Sequence, residues 1–271
     1  ISGFFDNLVA FGKLSSAIGS IQTDMIFGRN KSKGIDAYLK GHLSTTGVKI
    51  NELFEDGNPY GNLAFDITLD SKRPVNGSFS GNVKALIAEA DFKGYKYENI
   101  NLSGNFKKNG FDGMIQIDDP NGKLYAEGLF EHRGKNSVFN FTADIKHFRP
   151  DQLNLTQKYD SPDISGSVKA DFTGNNIDNV EGSIQVDSLS FKTKPNEFFI
   201  DKFLVVASGH SLDRNLSISS DIINGEINGA YSFETIIPSL MNTFKGYLPA
   251  LINATQKKKL LFSHKSNICI A

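Results

Sequence analysis

GNLAFDITLD, residues 61–70, decides the fold. Leu63, Phe65, Ile67 and Leu69 take every second position, with Ala64, Asp66 and Thr68 between them. Successive side chains on an extended strand point to opposite faces, so this segment has one apolar face and one wet face. Strict alternation of this kind is the two-residue period of a strand, not the 3.6-residue period of a helix.

The same alternation recurs outward in both directions to about residue 233. In SVFNFTADIKHF (137–148), Phe139, Phe141, Ala143 and Ile145 align against Asn140, Thr142, Asp144 and Lys146. GSVKADFTG (166–174) offers Val168, Ala170 and Phe172; GSIQVD (182–187) offers Ile184 and Val186. NLSISSDII (215–223) contributes Leu216, Ile218, Ser220 and Ile222. Gly-rich and Asn-rich joints separate these runs: Asp119-Pro120-Asn121-Gly122, Asn109-Gly110, Asn76-Gly77, Asp56-Gly57 and Asn224-Gly225. Both residue types accept the positive φ of tight hairpin turns. The composition agrees, with 25 Asn, 25 Gly and 22 Phe against 8 Pro and no Trp. The expectation is an all-β chain of repeated hairpins forming a long curled antiparallel sheet over 21–233, after a mixed lead-in at 1–20. Alternation is the same in an open trough and in a closed two-sheet sandwich, so both architectures remain open at this point.

One stretch reads as helical. In ETIIPSLMNTFKGYLPALIN (234–253), Ile236, Ile237, Leu240, Met241, Phe244, Tyr247 and Leu248 fall at helical spacing. A short amphipathic helix is expected there, within a segment running to 256, followed by a basic, irregular tail over 257–271. The chain opens at Ile1 with neither Met nor a leader and reads as a piece of a longer protein.

Charge and motif narrow the function classes. Lys and Arg number 29 against 30 Asp and Glu, a net charge of −1, without the basic excess of a nucleic-acid binder. The lone Cys269 excludes a disulfide framework and a thiolate zinc site. His42, His132, His147, His210 and His264 are scattered, with no paired metal-ligand spacing. There is no phosphate-binding glycine loop and no nucleophile elbow, so no catalytic residue, metal site or cofactor is assigned. What stands out is the run of one-sided strands, because an apolar sheet face needs something to cover it. A curled sheet could offer that face to acyl chains. Its lining would be Leu63, Phe65, Ile67, Leu69, Phe139, Phe141, Ile145, Val168, Phe172, Ile184, Val186, Leu216, Ile218 and Ile222. A surface β-repeat adhesin or glycan-binding protein is the other class, weakened by the absence of Trp platforms.

FDGMIQIDDPNGKLYAEGLFEHRG (111–134) resembles the recurrent hairpin of the AsmA/TamB-like envelope proteins. GKLSSAIGSIQTDM (12–25), LKGHLSTTGVKINELF (39–54), VKADFTGNNIDNVEGSIQVDSLSF (168–191) and LSISSDIINGEINGAYSF (216–233) are similar to the Bacteroidetes branch of TamB. The tail LLFSHKSNICIA (260–271) departs from that pattern. The resemblance implies a non-enzymatic segment of a periplasmic bridge between the two membranes of a Gram-negative envelope. It implies a β-taco trough that conducts phospholipid or assists assembly of outer-membrane proteins. The implied partners are phospholipid acyl chains, an outer-membrane assembly protein, and the inner membrane through an N-terminal anchor outside this sequence.

Overall fold

The structure, a computed structural model, describes residues 2–4, 7–52, 58–175, 179–194, 196–210, 213–230, 232 and 267–269. The strands are β1 (Ser2–Phe4), β2 (Asn7–Ser16), β3 (Gly19–Asn30), β4 (Ile35–Lys49), β5 (Tyr60–Pro74) and β6 (Ser80–Phe92). After these come β7 (Tyr95–Lys107), β8 (Gly110–Asp119), β9 (Gly122–Glu131), β10 (Val138–Phe148) and β11 (Asp163–Thr173). The last are β12 (Glu181–Lys192), β13 (Glu197–His210), β14 (Asp213–Ser220), β15 (Asn224–Gly229) and β16 (Asn267–Cys269). All lie in one open sheet in chain order, each strand bonded to its neighbours in sequence. The sheet never closes, since β1 and β16 stand at its two edges. Short 3-10 turns at Lys31–Lys33, Ile50–Glu52 and Gly134–Asn136 are the helical elements among the described residues. The amphipathic helix expected near 234–253 lies outside the described residues, as does most of the 257–271 tail.

The all-β reading therefore holds: the strands form a single open meander of consecutive hairpins. By internal contacts the chain divides into one unit of residues 1–131, 141–167 and 188–199 and another of 132–140, 168–187 and 200–271.

Turn chemistry explains the joints. Lys93 and Gly94, at φ 52° and 75°, link the facing pair Phe92 and Tyr95. Two positive φ values in a row make the mirror-image turn whose twist suits a hairpin. Pro120-Asn121 joins the pair Asp119 and Gly122 as expected. Two other joints differ from expectation. Asn224 and Gly225 open β15 and pair with Ser219 and Ile218, while the turn itself is Ser220–Ile223, tied by Ser220 N–H to the Ile223 carbonyl at 2.9 Å. Gly110 likewise lies in β8 opposite Lys107, with Lys108-Asn109 making the turn. The lead-in is also more regular than its mixed composition suggests: residues 7–16 form β2, paired with β3 from Asn7–Gly28 to Ser16–Gly19. Leu8, Ala10 and Leu14 supply the alternation there, and Gly12 fills the position between.

Candidate functional site

In the first unit, cross-strand register gathers the alternating residues into rows on one face. One row runs Thr23, Leu43, Ile67, Ala85, Leu102, Ile115 and Ala126. A second, toward the Pro74 end, runs Phe27, Leu39, Ser71, Gly81, Phe106, Phe111 and Phe130. Directly opposed side chains stand about 5 Å apart in such a ladder, close enough to touch along each row, with Ser71 and Gly81 interrupting the apolar run of the second.

Burial decides what kind of face this is. In a sandwich, inward residues of both sheets interdigitate and leave water altogether. Here Leu63, Phe65, Ile67 and Leu69 are half-buried, as are Phe141 and Ile145. The buried apolar residues are divided between alanines, such as Ala64, Ala85 and Ala143, and larger side chains, such as Met25, Val48 and Leu216. Ala64 sits on the polar face by register, beside Glu89, and is covered because that neighbour is longer. Exposed aromatic residues gather at the Pro74 end, where Phe27, Phe79 and Phe130 are 39%, 40% and 44% exposed.

A glycine row lies beside the aromatic one, following Met25, Gly41, Leu69, Val83, Gly104, Gly113 and Gly128. A Cβ on Gly104 would stand 2.5 Å from the Asp112 carbonyl oxygen, and one on Gly113 would stand 2.3 Å from that of Ser103. Both would also meet Phe111 Cζ, at 2.7 and 2.8 Å. Glycine inside a strand marks close backbone approach or a sharp bend, and Phe111 fills the space that two missing side chains leave.

At the Tyr60 end of the same face a loop packs onto the sheet. Residues 149–162 fold into a capping loop in which Leu153 is 4% exposed and Pro162 is fully buried. Tyr97 Oη donates to the Leu153 carbonyl at 2.8 Å, and Asn154 Nδ2 donates to that of Lys93 at 3.1 Å. Beneath the loop, Asp119 accepts from Tyr95 Oη, from Glu98 N–H at 3.1 Å and from Asn121 N–H at 2.8 Å. Burial, helped by the Asp119 carboxylate, pushes the Tyr95 hydroxyl up to about 12.

The opposite face is a lattice of exposed polar pairs. His42 meets Asp66 at 2.8 Å and Lys40 meets Asp70 at 2.9 Å. The Asn62 amide, then Lys96, hold the Glu89 carboxyl below its ordinary range. His147 contacts Asp163 at 3.3 Å; in the second unit, His132 contacts Oγ of the buried Ser137 at 2.9 Å. His42, His132 and His147 therefore sit with different partners on different strands or turns, and no group of three or more His, Cys, Asp or Glu among the described residues could hold a metal ion.

In the second unit, Phe139 and Phe172 stack with centroids 4.6 Å apart. Leu216 and Ile218 share a face with Ala207 and Val205, and Leu216 is 3% exposed. Val168, Ile184, Val186 and Ile218 are half-buried. Ile222 differs from the rest of the expected lining: β14 ends at Ser220, so the turn carries Ile222 off the strand, where it is 48% exposed.

No family model, curated protein or solved structure matches the chain. Its reading rests on its own residues. The aromatic row was legible in principle, because Phe106 and Phe111 flank Lys107–Gly110 symmetrically and any hairpin there places them opposite each other. The capping loop carried no periodic signal.

Proposed function

We propose that this chain is a non-enzymatic, lipid-conducting segment of a periplasmic bridge of the AsmA/TamB kind, its apolar sheet face serving as a trough for phospholipid acyl chains. The observation that carries the reading is the half-burial of Leu63, Phe65, Ile67 and Leu69, which alternate along one face of β5 in an open sheet. A contiguous apolar surface of this kind is rare on a monomer and marks a place where something apolar binds. Acyl chains fit because the face offers hydrocarbon contact at every second position and demands no particular head group along its length. The polar lattice on the other face keeps the segment compatible with water. In the envelope such a segment would work with an outer-membrane assembly protein and an inner-membrane anchor, as the resemblance implies.

Substitution separates this from a packed core. Phe141→Asp in a closed core would bury an unpaired carboxylate and cost several kcal/mol, enough to unfold most domains. On an open trough the carboxylate keeps part of its hydration. The folded variant should retain its far-ultraviolet circular dichroism and its midpoint in urea within a small shift, and should lose extraction of labelled phospholipid from vesicles. Loss of the fold together with binding would contradict the proposal.

A further inference from the structure

We propose that the Pro74 end of the apolar face is a head-group site, where Arg73 takes the phosphate of a phospholipid whose acyl chain enters the trough. This rests on reading the face as a lipid surface. On β5 the alternation Leu63, Phe65, Ile67 and Leu69 continues through Ser71 to Arg73, which register places beside Ala37 on the same face. A guanidinium at the end of an otherwise apolar strip is what an amphiphile with an anionic head requires. Around it lies a cavity of about 690 Å³, walled by Leu8, Phe27, Leu39 and Phe79, with Arg29 and Asp36 also on its lining. Arg73 sits over the Phe79 ring, 5.4 Å from its centroid. Asp36 pairs with one terminal nitrogen. The Nε–H is buried and has no acceptor. The two-bond pairing that a guanidinium prefers is therefore unmade, and a phosphate, with several oxygens in the matching geometry, completes it. Asp36 is the competitor the phosphate must displace. At the Tyr60 end the charged group on this face is Asp119, a carboxylate already partnered by Tyr95, Glu98 and Asn121, so that end offers no equivalent site.

Calorimetric titration below the micellar range tests the site with three probes: dodecyl phosphate, monododecanoylglycerol and inorganic phosphate. The wild-type chain should bind dodecyl phosphate about tenfold more tightly than the uncharged amphiphile. Inorganic phosphate should give no heat, because without a chain it lacks the cavity contacts. Arg73→Leu should erase the preference for the charged head and leave monododecanoylglycerol binding unchanged. Asp36→Asn should tighten dodecyl phosphate binding, and it remains decisive if Arg73→Leu does not fold. An unchanged preference in Arg73→Leu, no tightening in Asp36→Asn, or inorganic phosphate binding as well as dodecyl phosphate would overturn the head-group site while leaving the trough standing. Failure of both amphiphiles to bind the wild-type chain would overturn the trough reading as well.

Discussion

Tyr97 donates its hydroxyl hydrogen to the backbone carbonyl of Leu153, a residue 56 positions further along the chain, at 2.8 Å. That bond pins the capping loop onto the Tyr60 end of the apolar face, and Leu153 lies beneath it, 4% exposed. The two ends of the face thus differ in kind, one with a loop packed onto it and the other rimmed by exposed Phe27, Phe79 and Phe130.

Leu153 anchors that loop. Leu153→Ala should lower stability by about 2–5 kcal/mol, the range for a buried leucine cut back to a methyl group. Urea denaturation of the two proteins measures it. A change within a few tenths of a kcal/mol would mean that the loop does not pack on the face.

Tyr95 gives a pH dependence with a definite sign. In the unfolded chain a tyrosine ionises near its ordinary value of 10, whereas in the fold Tyr95 is held protonated up to about 12. The folded form then binds a proton that the unfolded form has lost. This contribution is complete below pH 10 and should disappear as the pH rises through 12. Tyr95→Phe should flatten that part of the stability profile. An identical alkaline slope in both proteins would dismiss the link between Tyr95 and the fold.

The glycine pair is a steric requirement. Gly113→Ala places a Cβ against the Ser103 carbonyl and the Phe111 ring, and overpacking of this kind costs about 1–3 kcal/mol. Adding Phe111→Leu should recover part of the loss by removing the ring, which a double-mutant cycle would show as coupling between the two positions. Strict additivity would mean that the ring and the glycines do not share this space.

Exposed pairs on the polar face should matter little. Lys40 and Asp70 meet at 2.9 Å with side chains 63% and 57% exposed. Removing them together should change stability by less than about 1 kcal/mol, an effect smaller still in high salt.

How much of this was visible in the sequence follows from period. GNLAFDITLD shows its two faces because a strand's repeat of two is local, and register merely confirms which residues become neighbours. Asn224-Gly225 misled, since Ser220 supplies the turn: its hydroxyl accepts from the Ile223 N–H at 2.9 Å, which frees the Asn-Gly pair to start a strand. Arg73 reads as one more surface charge until the alternation of β5 is carried two steps past Leu69. The capping loop is beyond any local pattern, because its anchor, Leu153, is defined by Tyr97 on a distant strand. That one open sheet takes up every strand in chain order was likewise illegible, as alternation is common to troughs and sandwiches; the pairing of each strand with its neighbours in sequence shows it.

Photo-crosslinking tests the central claim most directly. A diazirine side chain is placed in turn at positions 65, 66, 140 and 141 of the intact chain, which is then irradiated with phospholipid vesicles. Phe65 and Phe141 belong to the apolar alternation, and Asp66 and Asn140 are their exposed strand neighbours pointing the other way. Phospholipid adducts at 65 and 141, with none at 66 and 140, are the expected result. Equal labelling on both faces, or none at 65 and 141 in the folded protein, would contradict a lipid-bearing trough.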